Sequence, residues 1–113
     1  MKKIQMVDLQ SQYQKIKNEV DEKVLNVMQS AQFINGPEVQ NFQKELEQYL
    51  GVKHVIPCAN GTDALQIALM ALDLQPGDEV ITADFTFAAT VEVVHLLKLK
   101  SVLVDVDYDT FNI

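Results

Sequence analysis

The chain has 113 residues, 48% of them hydrophobic, and a net charge of −7 from 16 acidic and 9 basic residues. This length suits a single domain, and the apolar content excludes a disordered chain. All 9 bases are scattered lysines and arginine is absent, which argues against a nucleic-acid partner, because such a partner needs clustered Lys and Arg to neutralise its phosphates.

Export and membrane insertion are not expected. The single cysteine, Cys58, cannot form an intrachain disulfide, so a reducing, cytoplasmic setting is predicted. The first residues lead into a polar segment and not into an apolar core, which argues against a signal peptide. No apolar stretch approaches the length of about 18 residues that indicates a membrane span.

Two amphipathic helices are predicted first. Residues 11–29 carry apolar side chains at spacings of three and four, the period of a helix with one buried face. A break at residues 32–36 precedes Pro37, which suits the first turn of a second helix. Gly51 is well placed as the left-handed residue that ends it.

Strands and helices then alternate. Strands are predicted at residues 54–58, 79–83 and 102–106, with helices at 62–74 and 88–97 and a turn at 75–78. This order is typical of parallel crossovers, so the fold class is α/β, with helices covering a parallel sheet. Three parallel strands leave long unpaired edges, and a further crossover is expected after residue 113. We therefore expect the N-terminal part of a larger domain.

The junction at residues 59–65, with the sequence ANGTDAL, is the first candidate site. A helix N-terminus presents free N–H groups and the positive end of the helix dipole, a combination that binds phosphate. Gly61 allows close approach of a ligand, the Thr62 hydroxyl can cap the helix or bind an anion, and Asp63 would contribute its N–H. The alternative is that Gly61 is only a turn residue and Thr62 only a helix cap, since many helices begin this way.

Two further positions are ambiguous. An aromatic ring in the loop at residues 84–90 can stack on a flat cofactor, although the spacing of Phe85 and Phe87 alone favours core positions. Asp105 and Asp107 resemble an acidic pair that holds a metal in glycosyltransferases, although acids at strand ends are common. Cys58 is interpreted as a small buried hydrophobe.

Several blocks together point to a family. They are residues 7–9, 33–39, 59–65, 76–82, 85–90 and 104–107, and they occur in the same order over almost the whole chain. On these blocks the chain resembles the DegT/DnrJ/EryC1/StrS family of nucleotide-sugar aminotransferases. The resemblance implies part of the large domain of fold type I, with a parallel-rich sheet sandwiched by helices, over residues 1–113. It also implies pyridoxal 5'-phosphate as cofactor and no metal at Asp105 and Asp107.

The resemblance assigns roles to particular residues. Gly61, Thr62 and the Asp63 backbone would hold the cofactor phosphate, and Phe87, rather than Phe85, would stack on its ring. An amino group, usually from glutamate, would pass to a keto group of a nucleotide-linked sugar, with a 3-keto UDP-N-acetyl sugar acid as the nearest substrate type. The loop at residues 33–37 would lie near the sugar site or the interface of a homodimer.

The chain departs from the family pattern in two places. Lys98 stands where the family has a glycine, so either a lysine adopts the left-handed conformation or the helix end is rearranged. The family's Schiff-base lysine, and the acid that pairs with the pyridine nitrogen, lie downstream of the matched region, so these 113 residues are expected not to transaminate alone. A sugar dehydratase of the same family and a non-catalytic, dimerising fragment are the alternatives.

Overall fold

Four helices and two strands make up the computed structural model, which describes residue 4 and residues 6–113. In chain order they are α1 (Leu9–Ser30), α2 (Pro37–Leu50), α3 (Gly61–Ala71), β1 (Glu79–Ala83), α4 (Ala89–Leu96) and β2 (Lys100–Val104). The chain divides into two compact units, one up to Pro57 and the other from Cys58 to Ile113. Within the described part of the chain, no helix is both long enough and apolar enough to cross a bilayer.

The starts of α1 and α2 are fixed by local chemistry. The Asp8 carboxylate accepts a hydrogen bond from the Ser11 N–H at 3.0 Å, so α1 begins two residues before the predicted start, because this cap satisfies one of its free donors. α2 begins at Pro37, as predicted, directly after the buried Gly36. A Cβ at Gly36 would lie 2.2 Å from the Gln32 carbonyl oxygen, so the turn between the helices requires glycine there.

The end of α2 also follows the prediction. Gly51 is left-handed, with φ 66°, and its N–H donates to the Gln48 carbonyl. The Val52 N–H donates to the Glu47 carbonyl at 3.1 Å. This pair of bonds is a Schellman motif, which satisfies carbonyls that the helix end leaves free.

The predicted strand at residues 54–58 is wrong. These residues belong to no helix or strand, and the Ile56 side chain is 73% exposed. The Val55 N–H donates to Oε1 of Glu47 at 3.1 Å, a side-chain partner and not a neighbouring strand. A strand is defined by its ladder, and the described residues offer this segment none, so the predicted three-stranded sheet is a two-stranded one.

In the second unit, β1 and β2 form a parallel pair. The register runs from Glu79 opposite Lys100 to Ala83 opposite Val104. β1 has the predicted bounds, while β2 begins two residues before the predicted position. α4 connects the two strands and packs on both, and four residues of this crossover form the buried core: Ala89, Val93, Val94 and Leu99.

The end of α4 shows which of the two alternatives for Lys98 holds, a left-handed lysine or a rearranged helix end. Lys98 is left-handed, with φ 60°. Its N–H donates to the His95 carbonyl and the Leu99 N–H to the Val94 carbonyl, both at 2.9 Å. These bonds make a Schellman motif with lysine at the position that glycine usually occupies, so the helix end is not rearranged.

Candidate functional site

Asn60, and not Thr62, caps the N-terminus of α3. The Asn60 backbone is extended, and its Oδ1 accepts from the Asp63 N–H at 3.0 Å. Its Nδ2 donates in return to Oδ2 of Asp63 at 3.1 Å. The interpretation of Thr62 as the helix cap is therefore wrong, because Asn60 already performs that function, and α3 starts one residue earlier than predicted. The sequence signal was an Asn followed three residues later by an acid, a variant of the capping box.

This cap determines which donors remain for a ligand. The Asp63 N–H is engaged by Asn60. The N–H groups of Gly61 and Thr62, and the Thr62 hydroxyl, have no hydrogen-bond partner among the residues that the structure describes. Two backbone donors and one hydroxyl are thus available at the positive end of a helix dipole, the donor set that suits an anionic oxygen group.

The space beside Gly61 is open. A Cβ built on this glycine would meet no atom within 4 Å, and its φ is not positive. The fold itself therefore does not require glycine at this position, in contrast to Gly36. Without a side chain at Gly61, this space stays open for the close approach of a ligand to the backbone.

A shallow pocket of about 270 Å³ flanks the start of α3, lined by Cys58, Ala59, Asp63, Gln66, Ile67 and Met70. Cys58 is exposed, and its thiol donates to the Asn60 carbonyl at 3.4 Å. The prediction of Cys58 as a buried hydrophobe is wrong, because the segment that contains it joins no sheet that would cover it.

Phe85 and Phe87 are both exposed, at 72% and 77%, so the interpretation of them as core residues is wrong. They lie in the loop between β1 and α4. Phe85 contacts Phe111, with ring centroids 5.6 Å apart. Phe87 has no aromatic partner among the described residues, and its ring is open to a ligand.

The loops after β1 and β2 leave the sheet at the same edge, because the two strands are parallel. The structure thereby brings Phe85, two residues beyond β1, against Phe111 in the loop after β2. α3, which carries Gly61 and Thr62, packs against α4, the helix that follows Phe87.

Asp105 and Asp107 are engaged with the backbone. Oδ1 of Asp107 accepts from the Thr110 N–H at 2.9 Å, the Thr110 hydroxyl at 3.0 Å and the Asp109 N–H at 3.2 Å. The Thr110 donors, followed by the Asp109 N–H, hold the pKa of the Asp107 carboxyl below its ordinary value. Oδ1 of Asp105 accepts from the Val106 N–H at 2.8 Å.

These bonds make Asp107 the organiser of a turn, a role that the sequence analysis did not assign. The Asp-Tyr-Asp-Thr spacing is the signal that could have found it, because Asp followed by Thr three residues later is typical of such turns. In the part of the chain that the structure describes, no group of three or more metal-ligating side chains is assembled.

Comparison with known proteins connects this geometry to a family. The family model of the DegT/DnrJ/EryC1/StrS aminotransferases matches residues 14–113. The chain is 48% identical over 110 residues to UDP-2-acetamido-2-deoxy-3-oxo-D-glucuronate aminotransferase of Pseudomonas aeruginosa, which covers 97% of the chain and 31% of that protein. The chain thus spans about a third of the length of such relatives.

Solved structures give the same result. The chain matches the crystal structure of a DegT DnrJ EryC1 StrS aminotransferase from Brucella abortus with a TM-score of 0.91 and 48% identity, over 96% of this chain and 29% of that one. NtdA from Bacillus subtilis, solved with bound cofactor PMP, matches with a TM-score of 0.77 and 34% identity, over 82% of this chain and 21% of that one.

The predicted fold class, that of the fold type I aminotransferases, is confirmed by these structural matches. Pyridoxal 5'-phosphate is the cofactor of the family, as predicted. A relative from Streptococcus pneumoniae was solved in its PLP form, and NtdA was solved with PMP. The chain belongs to the DegT/DnrJ/EryC1/StrS aminotransferase family.

Proposed function

We propose that these residues are the N-terminal part of the large domain of a pyridoxal-phosphate-dependent aminotransferase. The complete enzyme would transfer an amino group, with glutamate as donor, to a keto group of a nucleotide-linked sugar. The family match over residues 14–113 supports the reaction class. The relative from Pseudomonas aeruginosa, by its name an aminotransferase acting on a 3-oxo UDP-sugar acid, supports a 3-keto UDP-N-acetyl sugar acid as substrate.

The observation that carries this proposal is the free donor set at the start of α3. The phosphate of the cofactor is an anion, and the N–H groups of Gly61 and Thr62 with the Thr62 hydroxyl are donors without another described partner. The open space over Gly61 gives the phosphate access to them. The residues present therefore fit the group by charge and by donor number.

Asp63 acts at this site through its position in the first turn. Its N–H and its carboxylate are both bonded to Asn60, which holds the carboxylate by one oxygen and fixes the first turn of α3. The predicted contribution of the Asp63 N–H to the phosphate then requires that this donor be shared with Asn60. We assign the main binding to Gly61 and Thr62.

Phe87 supplies the second contact. Its ring is 77% exposed in the loop at the carboxyl end of β1, the edge at which ligands of α/β proteins bind. Stacking on the flat cofactor ring would bury this apolar face and fix the orientation of the cofactor about its phosphate. Bound in this way, pyridoxal phosphate supplies an electron sink for amino transfer, and the described residues bind and orient it.

The 113 residues alone are proposed not to transaminate, because no lysine among them matches the Schiff-base position of the family. We also propose a cytoplasmic homodimer. The loop before α2 supports an interface, since Phe33 and Ile34 are 64% and 90% exposed and large exposed apolar side chains side by side favour a protein contact.

The test is cofactor retention by the complete enzyme. Thr62→Val removes the hydroxyl at nearly constant shape and should weaken binding of pyridoxal phosphate by about 10- to 150-fold, the value of a hydrogen bond to a charged group. Thr62→Ser keeps the hydroxyl and is the matched control. Titration of the cofactor absorbance measures both variants, and equal affinity in Thr62→Val and the natural enzyme would contradict the assignment.

A further inference from the structure

The loop that carries Phe87 is tied to the rest of its unit at both ends by hydrogen bonds. The Asp84 N–H donates to the Val104 carbonyl at 3.0 Å, and the Phe87 carbonyl accepts from the Thr90 N–H at 3.1 Å. The hydroxyls of Thr86 and Thr90 are 3.2 Å apart. Phe85 lies between these hydrogen bonds. Its own backbone has no hydrogen-bond partner among the described residues, and its ring contacts a second aromatic ring.

That second ring belongs to Phe111. The centroids of the two rings are 5.6 Å apart and their planes meet at 39°, within the range of favourable aromatic pairs. Both rings are largely exposed, at 72% for Phe85 and 60% for Phe111. The pair is therefore not part of the buried core, and its effect falls on the loop after β1.

Phe111 is held in an uncommon conformation. Its φ is 54°, which a bulky residue adopts rarely and only where its surroundings impose it. The Asp107 turn imposes it here: the Phe111 N–H donates to the Asp107 carbonyl and the Asp107 N–H donates to the Asn112 carbonyl, both at 2.9 Å. The carboxylate of Asp107 closes the same turn through Thr110.

We propose that Phe111 is a positioning residue for the cofactor: held by the Asp107 turn, its ring braces Phe85 and thereby fixes the loop that presents Phe87. This inference rests on the proposed stacking role of Phe87. It gives the turn after β2 a function at the same edge of the sheet, and it explains why an aromatic residue occupies a left-handed position that asparagine or glycine would adopt more easily.

The experiment uses the complete aminotransferase loaded with pyridoxal phosphate. Phe111→Asn removes the ring but suits the left-handed backbone, so the turn should persist. Phe111→Tyr keeps the ring, and Tyr108→Asn, at an 89% exposed position of the same loop, is the matched control. For each variant, the dissociation constant of the cofactor, its induced circular dichroism and the melting temperature of the cofactor-free protein are measured.

Phe111→Asn should weaken cofactor binding by about two- to tenfold, the worth of one aromatic pair, and reduce the induced dichroism. Phe111→Tyr and Tyr108→Asn should leave both unchanged. In a Phe87→Ala background the effect of Phe111→Asn should disappear, because Phe111 acts through Phe87.

Two results would overturn the inference while the stacking role of Phe87 stands. One is a lower melting temperature for Phe111→Asn with unchanged cofactor affinity, the behaviour of a purely structural pair. The other is full additivity of Phe111→Asn and Phe87→Ala. If Phe87→Ala itself leaves affinity and dichroism unchanged, the stacking role fails, and the positioning role of Phe111 fails with it.

Discussion

Replacing Lys98 with glycine should stabilise the chain. Lys98 adopts φ 60°, and an L-residue in this region costs roughly 1–2 kcal/mol. Glycine avoids that cost but loses about 0.5–1 kcal/mol more conformational entropy on folding. The midpoints of these two ranges predict a net gain of about 0.75 kcal/mol in the free energy of unfolding for Lys98→Gly.

The Lys98→Gly substitution should leave the surrounding hydrogen bonds intact. All the hydrogen bonds at Lys98 are formed by its backbone: its N–H donates to His95 at 2.9 Å, and its carbonyl accepts from the Gly77 N–H at 3.0 Å. The side chain is exposed, and none of the ion pairs among the described residues includes it. Glycine retains each of these backbone hydrogen bonds. The substitution therefore changes the free energy of unfolding mainly by removing the conformational cost of an L-residue at this φ.

Urea denaturation followed by far-UV circular dichroism measures the effect, and hydrogen exchange at the Leu99 amide reports it locally, because that N–H closes the motif onto Val94 at 2.9 Å. Lys98→Ala is the control, since it removes the charge and keeps an L-residue at the same φ. Equal stabilisation by Lys98→Ala and Lys98→Gly would refute the argument, because the gain would then come from the side chain and not from the backbone.

Two further outcomes are expected. Gly36→Ala should destabilise the chain by about 1–3 kcal/mol, because its Cβ would lie 2.2 Å from the Gln32 carbonyl oxygen; Gly61→Ala, which meets no atom within 4 Å, should leave the melting temperature unchanged. The stability that the Asp107 turn contributes should depend on pH, because the pKa of the Asp107 carboxyl in the folded chain is below its ordinary value. This contribution is complete above about pH 4. It is lost as the pH falls through the pKa of the folded state. Proton NMR of the Thr110 amide between pH 7 and 2 would show this, and a chemical shift that does not change over that range would contradict it.

Elements whose signals are local could be predicted from the sequence. α2 begins at Pro37 and ends before Gly51, and β1 has the predicted bounds of residues 79–83. The left-handed position at Lys98 could also be anticipated, because the family that the chain resembles has a glycine there, and glycine is the residue that usually ends a helix in this conformation. In each case, the determining residues lie within one or two turns of the feature.

What could not be predicted depends on partners distant in the sequence. The segment at residues 54–58 has the composition of a buried strand, yet strand formation needs a neighbour for its ladder. Phe85 and Phe87 have the spacing of core residues, but their burial depends on what packs over the loop. In both cases the apolar pattern is compatible with a buried strand or a core side chain, but tertiary contacts determine whether the residues are paired or buried.

The error at Thr62 has a different origin. Asn60 and Thr62 are both good helix caps by residue type, and only Thr62 was considered for this role from the sequence. The reciprocal bonds between Asn60 and Asp63, at 3.0 and 3.1 Å, decide in favour of the first. This outcome is consistent with the proposed cofactor site, because a threonine that caps its own helix would have its hydroxyl occupied, whereas the Thr62 hydroxyl has no hydrogen-bond partner among the described residues.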